Sequence, residues 1–198
     1  MFTLDETRPV WAEINLDNLA HNIREVRRNT KEGTLVTAVV KANAYGHGAI
    51  RSAKTFLDNG ADRLAVATLS EAIELRLGGI NVPMLILGYT PETQYEQVLK
   101  YDIIQTIYNY DAAKAFSEYA TQLEKKGKIH IKIDSGMGRI GFLPEDQSIE
   151  EITRIAKLPN IEIEGIFTHF AKADEVDKDF TRLQYNRFMD TVKKLEEK

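Results

Sequence analysis

At 198 residues, 43% of them hydrophobic, the chain is long enough to bury one large core. A net charge of −4, from 26 basic and 30 acidic residues spread along the sequence, offers no cationic footprint for nucleic acid or an acidic membrane. Zero cysteines exclude disulfides and thiolate metal sites and fit a reducing compartment.

Met1–Arg8 lacks a cationic stretch followed by an apolar core, and no apolar run approaches membrane-spanning length, so the cytoplasm is the expected compartment. From Val10 to Asn15 the residues alternate as in a strand. Leu16, Leu19, Ala20, Ile23 and Val26 then recur at helical spacing, with Asn15 or Asp17 as cap. Leu35–Val40 is an apolar, β-branched run that ends in Lys41 and a small-residue turn with Tyr45, Gly46 and Gly48. A helix over about 49–57 follows and ends near Asn59-Gly60.

Arg63–Thr68 is the next strand, and Thr68 with Glu71 resembles a capping box opening a helix that Gly78-Gly79 closes. Pro83–Gly88 is a continuous apolar run, followed by Thr90 as cap and Pro91 in a first helical turn. Ile103–Tyr108 repeats the theme. The helix after it carries Ala112, Ala113, Phe116, Ala120 and Leu123 on one face and is expected to stop at Gly127; Phe116 and Tyr119 read as core. Ile129–Asp134 differs, because isoleucines on one face alternate with His130, Lys132 and Asp134 on the other. A helix over about 148–157, a strand within 161–170 and an amphipathic helix from Phe180 to Lys198 complete six βα units, counted from the Lys41 strand.

Strand-then-helix repetition with β-branched strands implies a parallel sheet with helices outside it, either an open doubly wound sheet or a closed (β/α)8 barrel. Patterning by itself leaves both open.

A lysine ending a buried strand is partly desolvated, which favours the free amine needed for a Schiff base; the plain alternative is a solvated lysine at a strand exit. The longer segment, Val39-Val40-Lys41-Ala42-Asn43-Ala44-Tyr45-Gly46-His47-Gly48, closely resembles the pyridoxal-phosphate signature of alanine racemases, and the resemblance runs through nearly all of the chain. It favours the barrel. It implies that Lys41 holds pyridoxal 5'-phosphate and that Tyr45 contacts the cofactor phosphate, although a tyrosine there could also just cover a barrel mouth. Leu87, at the end of the third strand, reads as an apolar wall of the same site.

Gly136-Met137-Gly138-Arg139-Ile140-Gly141 satisfies G-x-G-x-x-G after a strand, but no helical periodicity follows until about Ser148, whereas a dinucleotide fingerprint has its glycines open a long helix. Lys132 to Gly141 also resembles the alanine racemase pattern, which implies that Arg139 contacts the cofactor's phenolic oxygen and is held by a carbamylated Lys132. Two like charges side by side in low dielectric make such a modification physically coherent. Otherwise Lys132 snorkels to water or pairs with Asp134. His169 ends the sixth strand; a histidine in an apolar setting is commonly a satisfied core group, and the resemblance instead packs it against the cofactor ring. His21, His47 and His130 show no pair at metal-ligand spacing, and no metal is expected.

By this resemblance the chain is a pyridoxal-phosphate-dependent isomerase that interconverts L-alanine and D-alanine and supplies D-alanine for peptidoglycan. Lys41 would serve one face of the substrate, and a tyrosine from the C-terminal domain of the partner in a homodimer the other. Barrel closure takes eight strands. Residues 1–198 are therefore expected to be an incomplete N-terminal barrel domain without the last barrel units and the C-terminal β domain. Such a piece should be inactive or nearly so by itself, and prone to associate through unpaired strand edges. The alternatives are a serine or broad-specificity racemase, a non-catalytic single-barrel pyridoxal-phosphate protein and a dinucleotide-binding oxidoreductase. A visible absorption band lost on borohydride treatment, with cofactor mass on Lys41, separates the cofactor classes.

Overall fold

Six short apolar segments lie side by side in chain order as one parallel sheet: β1 (Thr37–Val39), β2 (Arg63–Val66), β3 (Met84–Ile86), β4 (Ile104–Ile107), β5 (Gly127–Lys132) and β6 (Ile161–Phe167). The structure, a computed structural model, describes residues 10–198; the Met1–Arg8 stretch read for a targeting signal lies outside them. Helix α1 (Leu16–Arg28) precedes the sheet. A short turn, α2 (Lys41–Tyr45), and the helix α3 (Ala49–Asp58) follow β1. The later crossovers are α4 (Leu69–Leu77), α5 (Tyr95–Lys100), α6 (Tyr110–Gln122) and α7 (Asp146–Ile155), and α8 (Asp179–Glu196) follows β6.

Alternation along the strands divides the side chains between two layers. Leu64, Val66, Met84, Ile86, Ile107, Ile129 and Ile131 face outward and are buried against helix residues such as Leu75, Val98, Phe116 and Ile152. Ala65, Leu85 and Ile104 face the other way, packed with Leu87 and Phe167. Arg63 on β2 reaches Glu164 on β6 at 3.0 Å, although the two strands are four apart in the sheet order. The sheet therefore curls into part of a barrel wall. Among the described residues it is not closed, and β1 and β6 have no further strand partner.

Three expectations differ from what is found. Val10–Asn15 is not a strand: no ladder partner lies beside it, Val10 and Trp11 are exposed, and Asn15 turns to cap α1 by accepting from the Asn18 N–H at 3.0 Å. Thr90 does not cap a helix; its buried hydroxyl has no partner, and the chain enters a 3-10 turn (Glu92–Gln94) before α5. Gly127 opens β5 and does not close α6, which ends at Gln122 with Leu123 as its C-terminal cap, the left-handed step falling to Glu124. A Cβ at Gly127 would sit 2.6 Å from the Phe116 ring, so the glycine lets β5 pack closely on α6. Phe116 and Tyr119 are joined through Tyr95, edge-on to both at 5.1 and 6.1 Å.

Candidate active site

Lys41 leaves β1 at the carboxyl rim of the sheet, half-buried. The chain then winds left-handed: φ is 51° at Ala42, 54° at Asn43, 52° at Ala44 and 55° at Tyr45, none of them glycine. The left-handed region costs an L-residue roughly 1–2 kcal/mol, so a run of four persists only where the surroundings over-determine it. Ala44 N–H donates to Val40 O at 2.9 Å, Gly46 N–H to Ala42 O at 3.0 Å and Gly48 N–H to Asn43 O at 3.0 Å. The Asn43 side chain accepts from the Ala49 N–H at 2.7 Å and so caps α3. The turn swings Tyr45 out over the rim, 60% exposed, with the Lys41 Nζ 5.9 Å from its ring centroid.

At the end of β5, Lys132 points into the concave side, 3% exposed, its Nζ 4.5 Å from the Phe167 ring centroid. Burial and the Arg139 charge push its pKa down to about 8, against the pull of Asp134. Lys132 neither snorkels to water nor forms an ion pair with Asp134. The Asp134 carboxylate is engaged by its own loop, accepting from the N–H groups of Gly136 and Gly138 at 3.0 Å and of Arg139 at 2.7 Å. Burial opposes its ionisation, but these donors outweigh burial and hold its pKa below the usual carboxylate range. The loop returns to pair with the strand end, Phe142 N–H donating to Lys132 O at 2.8 Å and Asp134 N–H to Phe142 O at 2.9 Å. Its glycines shape this return and open no helix, since α7 begins only at Asp146.

His169 follows β6. Partial burial lowers its pKa first, and the charges of Lys132, Arg139 and Lys41 lower it further. Because the strands run parallel, Lys41 just past β1, Lys132 at the end of β5 with Arg139 on the loop beyond it, and His169 just past β6 share one rim of the sheet, and Leu87, just past β3, packs with Ala65, Leu85 and Ile104. Among the described residues Lys41, Lys132 and Arg139 form no ion pair, and Asp134 is committed to its loop. Three cations without an ion-pair partner suit the rim to an anionic ligand. The other histidines do not join it. His21 lies on α1, His47 Nδ1 is 2.8 Å from Ala44 O, and His130 pairs with Glu164 at 2.9 Å. No group of three or more His, Cys, Asp or Glu among the described residues could hold a metal.

Two residues at the rim escape sequence reasoning. Gln184 of α8, fully buried, accepts from the Ala171 N–H at 2.8 Å and donates to His169 O at 3.0 Å, fixing the segment after β6. Glu71, legible only as a helix cap, accepts from the Ala42 N–H at 2.7 Å. Both depend on partners distant in sequence, for which spacing gives no signal.

The family model described as the N-terminal domain of alanine racemase matches residues 14–198. The alanine racemase of Clostridium tetani is 56% identical over 191 residues, covering 96% of this chain and 49% of its own length. That of Methanococcus maripaludis is 49% identical over 191 residues, covering 96% of this chain and 51% of its own. Among solved structures, alanine racemase from Clostridium difficile 630 matches with a TM-score of 0.94 at 46% identity, over 96% of this chain and 50% of that one. Alanine racemase from Bacillus anthracis with bound L-Ala-P gives a TM-score of 0.86 at 36% identity, over 92% of this chain and 47% of that one. The chain spans about half the length of the curated relatives it matches.

Proposed function

This chain belongs to the alanine racemase family, and on that premise we propose that residues 1–198 form the cofactor-bearing barrel portion of a racemase that interconverts L-alanine and D-alanine with pyridoxal 5'-phosphate. What supports the reading is that Lys41, Lys132, Arg139 and His169 lie at or beyond the carboxyl ends of parallel strands, and that among the described residues none of the three cations forms an ion pair. The residues fit the group: its phosphate and phenolate are anions and its aldehyde needs an amine, and the rim offers cations and a half-buried lysine. The L-Ala-P carried by a related structure supports alanine as the substrate class.

When bound, pyridoxal phosphate draws electron density from the substrate α-carbon and makes its proton removable. Lys41 would hold the cofactor through Nζ and, once the substrate amine has displaced it, its freed amine would move a proton at one face of the α-carbon. Tyr45 would meet the phosphate, Leu87 would wall the ring, Arg139 would contact the phenolic oxygen and His169 would pack on the ring. The proton on the other face belongs to a tyrosine of the partner subunit in a homodimer. The 198-residue chain by itself is inactive or nearly so, and the product serves the cell wall from the cytoplasm.

Lys132 is the site of carbamylation. Its neutral amine, accessible at a pKa of about 8, attacks carbon dioxide; an N–C bond forms, the proton leaves to water, and the resulting anion pairs with Arg139. A mass gain of one carboxylate on Lys132 in the active protein is expected, and a bare ammonium there at neutral pH would contradict it.

The test of the whole reading is chemical. In the full-length protein, borohydride should abolish a visible absorption band and leave the cofactor mass on the peptide carrying Lys41. Lys41→Ala should lose the adduct and alanine racemisation together. An untouched Lys41 in a protein that binds and turns over alanine would refute the assignment.

A further inference from the structure

The left-handed turn after Lys41 is held at its far end by its own amides, but its first N–H, that of Ala42, has no local partner. Val40 N–H donates to Ala65 O at 2.9 Å, continuing the β1–β2 ladder. Beyond it the strands part, and the next donor of the row, Ala42 N–H, is met by Glu71 Oε1 at 2.7 Å, from 29 residues further along. The other oxygen of the same carboxylate accepts from Ala67 N–H at 2.8 Å and Thr68 N–H at 3.1 Å. One anion thus ties two successive rim loops with three charge-assisted hydrogen bonds. The amide it grips on the α2 side is the peptide joining Lys41 to Ala42.

We propose that Glu71 is a positioning residue for Lys41: its carboxylate fixes the peptide plane after Lys41 and holds the entry to the strained turn, so that the lysine amine and Tyr45 face the same bound group. This rests on the reading of Lys41 as the cofactor-bearing amine. In Glu71→Gln one acceptor oxygen becomes an NH2 donor and the charge is lost, so the three N–H groups cannot all be satisfied. The turn should then relax toward right-handed geometry, which alanine prefers. Glycine tolerates the left-handed region, so Ala42→Gly should relieve that tendency without restoring the carboxylate.

In the full-length protein, borohydride trapping on Lys41 of the unaltered protein first tests the underlying reading, and its failure would strike that reading and leave the role of Glu71 in holding the turn to the measurements below. With trapping established, Glu71→Gln should bind pyridoxal phosphate about tenfold or more weakly, read by titration of the visible band at a temperature well below its thermal midpoint, which falls modestly because the same carboxylate caps α4. Ala42→Gly in that background should recover several-fold of the loss. Unchanged cofactor affinity in Glu71→Gln, or a loss that only follows the thermal midpoint and is not rescued by Ala42→Gly, would overturn the proposal. Should Glu71→Gln fail to fold, hydrogen exchange in the unaltered protein decides. The Ala42 amide, in an exposed residue, should be strongly protected, and exchange at the rate of a free amide would equally overturn it.

Discussion

The Lys132 amine loses most of its hydration at the end of β5 and gains an aromatic face where a carboxylate was available. Its pKa falls from the ordinary lysine value to about 8. Between about pH 8 and the unfolded value near 10.5 the unfolded chain binds a proton that the folded chain does not, so raising the pH through that window favours folding. Below about pH 8 both states are protonated and the full penalty of the buried ammonium is present. With carbon dioxide excluded, Lys132→Met is expected to stabilise the chain by roughly 2–3 kcal/mol at pH 7, and the gain should fade by pH 10.5 in paired urea titrations. A constant gain across that range would place the effect in packing and not in charge. The alternation of isoleucine with ionisable residues in β5 made this lysine's inward direction readable, and the resemblance set Arg139 beside it; that Asp134 would turn to its own loop was not readable.

Among the elements, the loop from Asp134 to Phe142 depends most on backbone freedom. Gly141 has φ +139°, and a Cβ there would lie 2.4 Å from the Asp134 nitrogen, a backbone atom that cannot move aside. Gly141→Ala is therefore expected to destabilise the protein by about 2–4 kcal/mol in denaturant unfolding, and to impair Arg139, which the same loop carries, more than Lys41. A wild-type unfolding midpoint would show that the loop has another route back to the strand. The glycine spacing was visible in the sequence, and the missing helical period after it argued against a dinucleotide site. What the glycines accomplish instead, a close return onto the end of β5, depends on a contact between backbones that spacing does not encode.

At the scale of the molecule, a polar brace spans the concave side of the sheet. A bulge in the β5–β6 pairing matches His130 with Gly165 and leaves Glu164 unopposed, free to meet His130 at 2.9 Å and Arg63 at 3.0 Å. A Cβ at Gly165 would fall 2.9 Å from the His130 ring, so the glycine makes room for the histidine. Burial works against the Glu164 charge, yet His130 and Arg63 together hold its pKa down. Its contribution is present above the usual carboxylate range and is lost as the pH falls through the lowered value. Glu164→Gln should cost about 1–3 kcal/mol at pH 7, with the difference from the parent closing in acid, as thermal melts would record. The unpaired edges of β1 and β6 lead to a second expectation at this scale. The 198-residue chain expressed by itself should sediment as oligomers at high concentration, and a clean monomer would count against it.

Period and composition sufficed for the order of elements from α1 onward, because a strand buried against helices must be apolar on its outward face and a crossover helix must be amphipathic. The same local rules marked Lys41 and His169 by their places at strand ends and Lys132 by the alternation along its strand; the resemblance to alanine racemases added Arg139 and gave all four their roles. Curvature, the handedness of the turn after Lys41 and the partners Glu71, Gln184 and Glu164 were decided only in three dimensions. Each depends on hydrogen bonds between segments tens of residues apart, or on where a Cβ can fit, and neither leaves a period in the sequence. Val10–Asn15 illustrates the same division: it has the alternation of a strand, but a strand exists only where another edge is free to pair with it.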